Sequence, residues 1–141
     1  MLNLIIALLC FSGFFIGNFI AGKTKEEVRI TKKSFLLSLK IIPIMIFLFV
    51  IIFKFDMVLL MLIAAILSLI VRNPYLFLGT SFLINDTNFI LLNSSLVFIY
   101  CLFDGSFSKN HKGIFLKFLL FIIPILGGTL NALFNWNWFG Q

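Results

Sequence analysis

Apolar residues come in long blocks along this chain, separated by short clusters of charge. Residues 2–21 form an apolar run of twenty, closed by Gly22 and Lys23. At 1.5 Å per residue, a helix of that length covers roughly 30 Å, the hydrocarbon thickness of a bilayer. Thr24-Lys25-Glu26-Glu27 then has the S/T-x-x-E form of a capping box, which predicts a new helix from Thr24. Its lysine-rich first turns should ramp directly into a second span over residues 35–53, with Lys40 near the start and Pro43 in the first apolar turns. Lys54-Phe55-Asp56 is a polar break, residues 57–71 predict a third span, and Arg72-Asn73-Pro74 closes it.

The next stretch is harder to thread. Residues 75–84 and 89–103 flank a polar tip, Asn85-Asp86-Thr87-Asn88. Ten helical residues cover only about half a bilayer, so the pattern predicts a short helical hairpin, either re-entrant or two thin tilted spans. After a polar loop at 104–113, residues 114–134 predict the last full span, and Trp136 and Trp138 follow where an interfacial aromatic belt is expected. The fold class this implies is all-α: a polytopic membrane helical bundle, one domain over 1–141, with four full transmembrane helices and a short hairpin.

Composition agrees with lipid as the solvent. Of 141 residues 62% are hydrophobic and 11% charged, with mean hydropathy +1.17. A soluble domain has about half apolar and a quarter charged residues. The net charge of +6 changes the picture only through its placement. Six of the basic residues fall between Lys23 and Lys40, broken by Glu26 and Glu27, which suits a loop facing anionic headgroups rather than nucleic acid. Placing that loop inside puts ten of the eleven basic residues on one side if 75–103 is a hairpin, with Lys54 alone opposite. The expected orientation is therefore both termini outside, in a plasma membrane.

Two kinds of position stand out within the spans. Asn3, Ala7, Cys10, Gly13, Gly17 and Ala21 line one face of the first span, and Gly13 and Gly17 form a GxxxG pair. Gly127 and Gly128 give the last span a similar face, so these two helices are expected to be close neighbours or to form an oligomer contact. Asn93, Val97, Tyr100 and Asp104 recur at steps of four, three and four, placing three polar side chains on one helix face. Thr80 and Ser81 on the other arm are expected to lie opposite. That face reads either as hydrogen-bonding glue between helices or as the lining of a path.

Catalytic chemistry is not predicted. His111 stands alone, Cys10 and Cys101 lie inside apolar runs, and no metal-ligand spacing, nucleophile motif or phosphate loop occurs, so no cofactor and no metal are expected. The expected function is a non-enzymatic membrane component, a subunit of a larger complex or a homo-oligomer, whose partners are the lipid bilayer and itself or another membrane protein. The alternative is a minimal channel or transporter for a small solute or ion, with Asn93, Tyr100 and Asp104 along its path.

Overall fold

The computed structural model describes residues 2–84, 86–107 and 113–133, without the side chains of Leu2, 25–32 and 131–133. The described residues form six α-helices: α1 (Leu2–Lys23), α2 (Lys25–Phe53), α3 (Val58–Val71), α4 (Tyr75–Ser81), α5 (Thr87–Phe107) and α6 (Ile114–Leu133). A 3-10 turn at Phe55–Met57 joins α2 to α3. The all-α bundle expected from the sequence is the fold observed. α1, the 33–53 portion of α2, and α5 are each long and apolar enough to cross a bilayer.

The helices form two layers of three. In one, α5 lies between α1 and α2; in the other, α4 lies between α6 and α3. Contacts between α1 and α6 at one edge, and between α2 and α3 at the other, join the layers. α1 and α5 run parallel, since Cys10 Sγ reaches the Ser94 carbonyl (3.3 Å) and Gly17 lies against Leu102. The space between the layers is filled with rings. Phe11 stacks on Phe14 and packs against Tyr75, Phe118 and Phe121, and Phe121 meets Phe82 edge to face.

Several helix boundaries depart from the sequence expectation. Only one arm of the hairpin is short. α4 has seven residues, whereas α5 has 21 and includes both Thr87-Asn88 and the Asp104-Gly105-Ser106 stretch expected to be loop. At its start the Asp86 carboxylate accepts the backbone N–H groups of Asn88 and Phe89 (3.1 and 3.0 Å), satisfying orphan donors of the first turn. At its end Ser106 donates to the carbonyls of Leu102 and, across the helix pair, Gly17. The capping box at Thr24 does not form: Thr24 precedes α2, but its hydroxyl donates back to the Ile20 carbonyl of α1. α6 is described to Leu133, so Phe134 and the tryptophan tail lie outside the described residues, as do Asn85, Lys109, His111 and Lys112.

α4 is enclosed by protein. Tyr75 and every residue from Phe77 to Ser81 are buried. A helix of roughly 10 Å cannot span hydrocarbon, and a short segment of this kind is tolerated at depth only where neighbouring protein shields its backbone ends. Its start is shaped by α3, which closes with Arg72 in the left-handed region (φ 54°) and Asn73 N–H donating back to the Ser68 carbonyl. Asn73 Oδ1 then accepts the Tyr75 N–H. At the far end three tight turns, from Phe82, Leu83 and Ile84 back to Gly79, Thr80 and Ser81, hold the exit, and Asn3 of α1 donates to the Phe82 carbonyl (3.0 Å).

A buried polar cluster as the candidate functional site

Glycine decides how closely the layers' helices approach. A Cβ at Gly17 would collide with the carbonyl of Leu102, and one at Gly105 with the carbonyl of Phe14. At Gly13 it would sit 2.9 Å from the Phe98 carbonyl oxygen. The small-residue face of α1 therefore meets α5, not α6 as expected. α1 and α6 do touch, but through the phenylalanines at 11, 118 and 121. Gly128 faces the Leu83 side chain, and Gly127 has open space around it. Gly79, which the sequence reading did not single out, brings α4 against the Phe121 backbone.

This close packing brings three polar side chains together. Asp104 of α5 accepts the Tyr75 hydroxyl of α4 (2.7 Å) and pairs with the Lys117 ammonium of α6 (2.5 Å), both at Oδ2. The Lys117 ammonium also lies over the rings of Phe14 (5.2 Å) and Tyr75 (5.6 Å), where ring quadrupoles attract a cation. Tyr100 meets Tyr75 edge to face, with ring centroids 5.9 Å apart. Asp104 lies between Leu102, which faces Gly17, and Ser106, which donates to the Gly17 carbonyl, so the ion pair is level with Gly17, roughly 9 Å along α1 from the charged end at Lys23. Asp104 and Lys117 keep 21% and 23% side-chain exposure, enough to make the pair semi-buried. A charge held this far among apolar side chains must be paired, and here one carboxylate oxygen ties three helices together.

Of the expected polar residues, Asn93, Tyr100 and Asp104 do share the α5 face turned toward the second layer. Asn93 (1% exposed), Val97 (0%) and Tyr100 (5%) are buried along it. Thr80 and Ser81 do not lie opposite as partners. Thr80 donates to the Phe77 carbonyl and meets Met61 Sδ of α3 (3.6 Å), and Ser81 donates to the Leu78 carbonyl, so both hydroxyls are spent locally. Asn93 is the exception among the described buried polar groups. Neither its Oδ1 nor its Nδ2 has a hydrogen-bond partner among the described residues. By mutational data, a buried amide left so costs about 1–3 kcal/mol.

Tyr75 and Lys117 were not singled out in the sequence, although Asp104 gives the signal: an acid on a buried helix face requires a cation, and Lys117 begins the next apolar segment. Among the described residues no group of three metal-ligating side chains occurs, and the free thiols Cys10 and Cys101 are both buried in the bundle. Outside the core, an open groove of about 570 Å³ runs between α1 and α5, lined by Ile6, Leu9, Cys10, Ser12, Ser94, Ser95, Phe98 and Ile99. Its serine hydroxyls donate to their own helices' carbonyls. No family model, curated protein or solved structure matches the chain.

Proposed function

We propose that the chain is a multi-pass plasma-membrane protein, both termini outside, acting as a non-enzymatic component of a membrane assembly with another membrane protein or with its own copies. The observation that carries the reading is α3. It lies at the edge of its layer, has fourteen residues, and buries only Met61 and Ala64, while Leu59, Leu69 and Ile70 are 71–76% exposed. Such a helix covers roughly 21 Å, and a span shorter than the bilayer is accommodated by thinning, flanking side chains or association. The polar side chains support the same reading, because Asp104, Lys117 and Tyr75 are engaged in holding helices together, and the hydroxyls of Thr80 and Ser81 are taken up within α4. The test is the mass of the particle purified in mild detergent. An oligomer or a stoichiometric membrane partner is expected, and Ile63→Trp with Ile66→Trp on α3 should dissociate it without changing the thermal midpoint. A wild-type protein that is monomeric and partnerless ends this reading.

A second reading, a path for a small solute or ion along Asn93, Tyr100 and Asp104, is favoured by the unpartnered carboxamide of Asn93. Flux in proteoliposomes decides it. Flux that the double variant Asn93→Leu, Tyr100→Phe abolishes supports a path; flux that the variant leaves unchanged, while assembly is lost, removes it.

A further inference from the structure

The buried side chain of Asn93 has no hydrogen-bond partner among the described residues. It lies on α5 between Phe89 and Val97, which are 1% and 0% exposed, so its amide faces the interior rather than a lipid or solvent surface. Its level in the bundle follows from the pairing of α5 with α1: the carbonyl of the neighbouring Ser94 accepts from Cys10 Sγ, two turns along α1 from Asn3, which reaches the Phe82 carbonyl at the end of α4. Asn93 therefore lies between the two ends of α4, one turn along α5 from Val97 and two from Tyr100, whose ring meets Tyr75.

From this placement we infer that Asn93 holds a small neutral guest that both donates and accepts hydrogen bonds, water being the smallest such molecule. The chemistry of the orphaned atoms selects the class. Oδ1 needs a donor and Nδ2 needs an acceptor. A metal cation would satisfy the oxygen alone and an anion the nitrogen alone. A water satisfies both, and buried waters characteristically make two to four such bonds to otherwise unpaired groups. The guest stands whether or not anything passes through the bundle, since hydration of Asn93 requires no flux.

The experiment is water-edited solid-state NMR on the full chain in lipid bilayers, with water as the probe. Polarisation from water should build up at the Asn93 side-chain amide several-fold faster than at the Met61 methyl, which is equally buried but apolar. Build-up no faster than at Met61 overturns the inference. In the Asn93→Leu variant the water signal at the backbone N–H of Val97 should fall; if it persists unchanged, the water belongs to another group and the assignment is overturned. The wild-type measurement stands by itself where the variant does not fold.

Discussion

At the scale of single residues the molecule is organised by one carboxylate. Asp104 is held by an ammonium from α6 and a hydroxyl from α4, and each partner is itself packed against rings. Removing the cation alone leaves a semi-buried negative charge. Lys117→Met is therefore expected to destabilise by about 2–4 kcal/mol, below the full cost of a completely buried pair because both groups keep some exposure. Replacing both, Asp104→Asn with Lys117→Met, should recover a good part of that loss, and a double-mutant cycle on thermal unfolding in detergent measures the coupling. Tyr75→Phe keeps the ring contacts and deletes one hydrogen bond to a charged group, with an expected cost of about 1–2 kcal/mol. If the pair were only a surface contact, all three losses would fall within a few tenths of a kcal/mol.

At the scale of elements, packing faces were easier to read from the sequence than packing partners. The spacing of Gly13 and Gly17 announces a close approach of helices, and the approach exists, but the partner is α5 rather than α6. Nothing local to α1 encodes that choice; it depends on Gly105, which sits in a stretch that hydropathy marks as loop. Asp104, Gly105 and Ser106 are polar or small for tertiary reasons, as ion-pair partner, crossing point and interhelical hydrogen-bond donor. The helix therefore continues through them. The Asn93–Tyr100–Asp104 face was legible because period and burial coincide there. Thr80 and Ser81 were misplaced because a seven-residue helix sets its faces by what encloses it. Substitution separates the glycines. Gly17→Leu or Gly105→Leu forces backbone apart and should cost about 3 kcal/mol or more, at or beyond the usual range for overpacking. Gly127→Leu, into open space, should leave the thermal midpoint of the monomer unchanged or raise it by removing a helix-interior glycine. Equal loss at positions 17 and 127 would contradict the α1–α5 crossing.

At the scale of the whole molecule, the direction of packing constrains threading. Because α1 and α5 run parallel, Lys23 at the end of α1 and Phe107 at the end of α5 lie at the same end of the bundle. Arg72 joins them, since Tyr75 just after it bonds to Asp104 near the end of α5. Phe35, near the start of the apolar part of α2, stacks on Phe103 (4.6 Å), so α2 also begins at this end and delivers Lys54 to the other. Asp86, just before α5, lies at that far end beside the start of α1. Charge thus separates along the bundle axis, with Lys23, Lys33 and Arg72 at one end and Lys54 with Asp56 and Asp86 at the other. Anionic headgroups and the positive-inside tendency favour the first end as cytoplasmic. The expectation is direct to check in cells. Single cysteines replacing Lys33 and Arg72 should be shielded from an impermeant maleimide until the membrane is opened, while those replacing Lys54 and Asp86 should label at once. The buried native thiols at 10 and 101 should contribute little background. Labels that divide Lys33 from Arg72 would mean that α2 and α3 do not form a paired crossing, and the two-layer arrangement could not then be the one embedded in the bilayer. Labels that pair them but also shield Asp86 would place the α4–α5 turn within the membrane, leaving α4 re-entrant and α5 short of the outer surface.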